Sequence, residues 1–181
     1  MKELSLHILD IVQNAISAEA GGVVVRIEED TVANTFAISI ADNGRGMSRE
    51  VLERVTDPYY TSRQTRKVGM GIPLLKHSAE QAGGGLTIQS APGEGTAVEA
   101  TFVHDHIDRP DLGDIAGVMV LLIGGNPEIR FRYEHEKDGR EYVLDTEEVK
   151  EVLEDMPISD PAVMKYIREM IRENLADNDI I

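Results

Sequence analysis

The spacing of apolar residues along this chain changes period in an order that few folds accommodate. Residues 3–19 place Leu4, Ile8, Leu9, Val12, Ala15 and Ile16 at helical intervals, and Gly21-Gly22 stops them. Val23 to Glu28 and Thr35 to Ala41 follow as two strands, joined by a polar turn at Asp30–Asn34. Residues 43–68 are turn-rich and charged, apart from a short amphipathic piece from Arg49 to Val55. Helical spacing returns with Pro73 in a first turn, runs through Leu74, Leu75, Ser78 and Ala79, and ends at Gly83-Gly84-Gly85. Leu86 to Gln89 and Thr96 to Val103 make a second strand pair around Pro92-Gly93. Helix, strand, strand, excursion, helix, strand, strand predicts two helices on one face of a largely antiparallel sheet, an α+β sandwich.

Beyond it, His104 to Gly113 reads as a linker. Gly117 to Ile123, Ile129 to Tyr133 and Glu141 to Leu144 are predicted as strands, with helices near Thr146–Leu153 and Pro161–Leu175 and a frayed end over the last six residues. The expected organisation is a domain over 1–104 and a small acidic α/β extension over 114–181 that carries no chemical motif. The chain has 181 residues, enough for one domain with an appendage. With 41% apolar residues but only 4% aromatic, its core must be aliphatic. A net charge of −15 repels nucleic acid and anionic membrane, so neither is expected as a partner. The absence of cysteine excludes disulfides and thiolate metal sites. No signal peptide and no apolar run long enough to span a bilayer is legible, so a soluble cytoplasmic protein is expected.

Chemistry concentrates in four places. Asp42-Asn43-Gly44-Arg45-Gly46-Met47 sets an acid at a strand end with glycines just beyond it, so a carboxylate can meet a flat polar ligand while the next turn passes beneath. On the first helix His7, Asp10, Asn14 and Ser17 recur at spacings of three, four and three, which puts them on one face. The Asn14 amide oxygen suits a hard cation such as Mg²⁺, which takes few protein ligands and completes its shell with water and substrate phosphates. His7 alone reads as a packing or hydrogen-bonding residue. Gly69 and Gly71 precede a helix N-terminus, whose exposed N–H groups suit phosphate, and Arg63, Arg66 or Lys67 can add charge. Thr96 opens a strand after Gly93 and Gly95, where its hydroxyl can join Asp42 at a ligand edge. The His104-Asp105-His106 run reads as solvated rather than metal-binding.

Taken in order, these motifs resemble the GHKL ATPase superfamily of gyrase, heat-shock chaperone, histidine kinase and mismatch-repair ATP-binding domains. Leu9 to Ala18 is similar to its N box, and Asp42 to Met47 to its G1 box D-x-G-x-G. Asp57 to Arg63 is similar to the F-box region of histidine kinases, Gly69 to Leu74 to the end of the G2 box, and Gly93 to Thr96 to the final G-x-G-T. The likeness covers about residues 3–103. It implies a Bergerat-type two-layer sandwich of helices on a mixed, largely antiparallel sheet, with ATP and Mg²⁺ held between the sheet face and a lid at residues 58–70. Asn14 would coordinate the metal, Asp42 would accept the adenine amino proton, Gly46 would pass against the base, and Gly44 and Met47 would also bind the nucleotide. Arg63, Lys67, Gly69 and Gly71 would serve the phosphates, and Thr96 the ligand edge.

Two departures shape the expected activity. The position that holds a glutamate base in hydrolysing members is Asp10, one methylene shorter, which predicts slow hydrolysis. Lys67 stands where many kinases have the first glycine of the G2 box. No helical hairpin with a phosphoacceptor histidine precedes the N box, so a kinase of this kind is expected to act in trans on a protein partner. The alternative is a nucleotide-gated interaction protein with little turnover.

Overall fold

A computed structural model of the protein describes residues 2–57 and 70–181. The expected lid at 58–70, with Arg63, Arg66, Lys67 and Gly69, therefore lies outside the described residues except for Met70. In chain order the elements are α1 (Leu4–Ser17), β1 (Gly22–Asp30), β2 (Thr35–Asp42), α2 (Arg49–Arg54), α3 (Gly71–Gln81), β3 (Gly85–Ala91) and β4 (Gly95–Val103). There follow α4 (Ile115–Gly125), β5 (Arg130–Lys137), β6 (Arg140–Asp145), α5 (Thr146–Leu153) and α6 (Pro161–Asp177).

The six strands form one sheet in the order β3-β4-β2-β1-β5-β6. β1 pairs antiparallel with β2 and parallel with β5, and the remaining pairs are antiparallel. Alternation decides which face is covered. Val23, Val25 and Ile27 of β1, Phe36, Ile38 and Ile40 of β2, and Val98, Ala100 and Phe102 of β4 all point to one side and are buried. Phe131 and Tyr133 of β5 join them. Against that side α1 lays Leu4, Ile8, Ile11, Val12 and Ala15, the four larger side chains each worth about 1.5–3 kcal/mol of transfer from water. Helices on one face of a mixed, largely antiparallel sheet make the expected two-layer α+β sandwich.

The second half differs in detail from its sequence reading. Residues 117–123, expected as a strand, form the middle of α4. That helix is wedged between α1 and α6, so Val118, Met119, Val120, Leu122 and Ile123 are all buried while Leu121 stands well out. A helix buried on nearly every side has no polar stripe to betray its period. The Asp114 carboxylate accepts from Gly117 N at 3.0 Å and caps its start. The segment read as a linker also does structural work, since Asp111 and Leu112 carbonyls accept from the N–H groups of Leu4 and Ser5 at 2.9 and 2.8 Å. These are the orphan donors of α1's first turn, which Glu3 at the N-cap does not satisfy with its side chain. The C-terminus was expected to fray, yet Ile180 is buried and its N–H reaches the Leu175 carbonyl at 2.9 Å.

Candidate functional site

β2 ends at Asp42, and the turn after it is fixed from three directions. The Asp42 carboxylate accepts from Gly44 N at 2.8 Å. Asn43 turns back so that its side-chain oxygen accepts from Gly21 N and Gly22 N, both at 2.8 Å, joining the turn to the loop that leaves α1. Arg45 N donates to the Ala18 carbonyl at 2.9 Å, and the Arg45 guanidinium reaches the Ser17 carbonyl. Burial pushes the Asp42 carboxyl above its ordinary range, while the N–H groups of Gly44 and Thr96 draw it partly back. A carboxylate has about four lone-pair sites, so with these two donors the group keeps acceptor capacity for a donor on a ligand.

Two glycines let the strands close around this acid. Gly46 has φ +72°, and a Cβ there would stand 2.0 Å from the Ala91 carbonyl oxygen. Gly95 has φ +82°, and its Cβ would stand 2.0 Å from the Asp42 carbonyl oxygen. Sequence reasoning missed the residue that ties these pieces together, Ser90. Its hydroxyl accepts from Met47 N at 2.8 Å, lies 2.9 Å from the Gly95 carbonyl and 2.8 Å from the Thr96 hydroxyl. A hydroxyl has one proton. When Ser90 gives it to Gly95, Thr96 must donate to Ser90, which leaves only acceptor lone pairs on Thr96. Nothing in the sequence marks this serine, because a serine in an edge strand is ordinary.

On α1 the polar stripe divides. Asp10, Asn14 and Ser17 are half-buried, whereas His7 is 2% exposed and turned into the contact with α3. There its Nε2 lies 3.3 Å from Ser78 Oγ, and burial holds its pKa below the ordinary value. His7 is thus a helix–helix bond, in line with its reading as a packing residue. Asp10 pairs with Lys2, a contact eight residues apart that no motif announced. Gly71, the first residue of α3, passes beside Asp10, 3.2 Å separating a Cβ built on Gly71 from that of Asp10. The structure thereby brings Asp10 to the amide end of α3, and places Asp42, Gly44, Gly46, Met47 and Thr96 around one turn.

Outside this site His104 is not solvated. Its Nε2 lies 3.0 Å from Glu29, which also holds His135 at 2.7 Å, and His135 in turn meets the Tyr133 hydroxyl at 2.7 Å. Among the described residues no three acidic or imidazole groups converge as a metal site, and no helix is long and apolar enough to cross a membrane.

The family model for histidine kinase-, DNA gyrase B-, and HSP90-like ATPases matches residues 2–106. Sporulation kinase C of Bacillus subtilis is 30% identical over 100 residues, covering 55% of this chain and 23% of its own length. Sensor histidine kinase YxdK of the same organism is 32% identical over 111 residues, covering 56% and 33%. The chain thus spans a third or less of the length of these relatives. Among solved structures, the Aquifex aeolicus MutL ATPase domain complexed with ADP superposes with a TM-score of 0.54 at 19% identity, over 84% of this chain and 69% of that one. The N-terminal domain of a DNA repair protein gives 0.57 at 15%, over 80% and 53%. These likenesses share the two-layer sandwich described above, and the family match takes in every motif from the N box to the final G-x-G-T. The chain belongs to the family of histidine kinase-, DNA gyrase B- and HSP90-like ATPases, as an ATP-binding, histidine-kinase-like module.

Proposed function

We propose that the protein is an ATP–Mg²⁺-dependent catalytic module of the histidine-kinase kind, soluble and cytoplasmic, that acts in trans on a protein partner and hydrolyses ATP slowly by itself. The observation that carries this reading is the Asp42 turn, where a half-buried carboxylate with spare lone pairs is set at a strand end by glycines that let the neighbouring backbone close around it. In this reading Asp42 accepts the adenine amino proton, Thr96 adds an acceptor, and Gly44, Gly46 and Met47 let the base lie close. Gly69, Gly71 and the amide end of α3 take the phosphates, with Arg63 and Lys67 as cations.

Magnesium fits the donors that are present. Asn14 offers one hard oxygen from a half-buried position, and a metal resting on one amide plus phosphate oxygens is a usual magnesium arrangement. When bound, the ion neutralises phosphate charge. Asp10, one turn earlier, is proposed to orient the attacking water, a task its short side chain performs from farther away than a glutamate would. A second reading, a nucleotide-gated interaction protein, draws on the same residue, because Asp10 is engaged by Lys2 instead of standing free.

Titration calorimetry tests the site. Asp42→Asn is expected to abolish ATP binding with the fold intact, since the amide keeps one acceptor and adds a donor where none is wanted. Asn14→Ala is expected to weaken binding in magnesium far more than in chelator. Unchanged affinity for Asp42→Asn would remove the assignment.

A further inference from the structure

Lys2 precedes α1, yet its ammonium lies on the Asp10 carboxylate, with the two side chains 35% and 38% exposed. Asp10 itself packs against Gly71, the first residue of α3, 3.2 Å separating its Cβ from a Cβ built there, so the ion pair is anchored on a residue that neighbours the start of that helix. His7 lies in the same cluster: burial lowers its pKa, Lys2 lowers it further and Asp10 opposes them. For an anion arriving there, the ammonium and the helix end attract, and Asp10 repels. A solvent-exposed ion pair is worth at most about 1 kcal/mol, so the bond that holds Lys2 on Asp10 is easily exchanged. Lysine also has the reach for it, a point charge on a flexible four-carbon stem. A terminal phosphate carries more charge than one carboxylate and offers three acceptor oxygens.

We propose that Lys2 distinguishes ATP from ADP: its ammonium leaves Asp10 for the terminal phosphate, so the Asp10 carboxylate is released only when that phosphate is present. This rests on the nucleotide reading given above. ADP stops one phosphate short, and with it Lys2 stays on Asp10. Lys2 is thus a specificity residue whose contact with Asp10 marks the state without ATP.

Calorimetric titration of the wild type, Lys2→Met, Lys2→Arg and Asp10→Asn with ADP and with a non-hydrolysable ATP analogue, all in magnesium, tests it. Lys2→Met is expected to weaken the analogue about tenfold and to change ADP by less than about twofold, the size of one charge-assisted hydrogen bond. Lys2→Arg should restore most of the loss. Asp10→Asn frees the lysine in advance and removes a repelling charge, so it should tighten the analogue by a larger factor than it tightens ADP. Losses of equal size for both nucleotides in Lys2→Met, or no loss for either, would overturn the proposal. A wild type that binds neither nucleotide overturns the nucleotide reading itself, a separate result. Thermal melting accompanies each variant, and Lys2, partly exposed and ahead of the first helix, lies outside the apolar core.

Discussion

At the scale of single residues, the positions legible in the sequence were those that place a demand on the backbone. Asp42 with its glycines could be picked out because an acid at a strand end followed by residues without side chains is a local statement, complete within six positions. Ser90, Lys2 and Asn43 act across the chain, on Met47, Asp10 and Gly21, and each is a common residue type in an unremarkable local setting. Only the folded chain reveals their partners. The glycine demand is testable directly. In Gly46→Ala the new Cβ meets the Ala91 carbonyl in a left-handed backbone conformation, so strain and a backbone shift add. Urea unfolding is expected to show a loss of about 1–3 kcal/mol or more, with the damage centred on the turn that carries Asp42. A variant as stable as wild type would mean that β3 and the turn can part without cost.

At the scale of elements, period and capping served well where one face is wet and failed where none is. α1, the four strands of the first half, and both terminal helices followed their patterns. α4 did not, because GVMVLLI is as good a buried strand as a buried helix, and only Asp114 at its start argues for the latter. The pairing of β1 with β5 was also hidden, although it carries a largely buried polar network of Glu29, His135, His104 and Tyr133. Burial pushes the Glu29 carboxyl up, but the hydrogen bonds from His135 and His104, helped by Lys137, outweigh it and hold the carboxyl below its ordinary 4.5. A carboxyl held low in the folded state contributes stability above its unfolded pKa and loses it as pH falls through the folded value. Thermal melts from pH 7 downward are thus expected to show wild-type stability dropping below about pH 4.5, and the Glu29→Gln variant, less stable at neutral pH, dropping less. Parallel curves for the two proteins would show that Glu29 contributes nothing through its charge.

At the scale of the molecule, β1 lies between β2 and β5, so the strand that opens the family-matched region has its other neighbour beyond residue 106. Removing residues 107–181 would bare the ladder edge of β1 and uncover the apolar side of α1 that faces α4. A long unpaired apolar edge invites pairing with another copy. A fragment ending at 106 is expected to elute as aggregates in size-exclusion chromatography, and a monomeric, nucleotide-binding fragment would show that the first half closes its own sheet.

The hold of Asp111 and Leu112 on the first amides of α1 has a consequence for recombination. The helix that presents Asp10 and Asn14 begins only where the chain, a hundred residues later, returns to meet it. Chimaeras that exchange this module with that of a longer sensor at the edge of the shared motifs would sever that closure and leave the N box helix without its start. A workable crossover lies past α6, so in this chain the ATP-binding motifs and the acidic second half have to be moved as one piece.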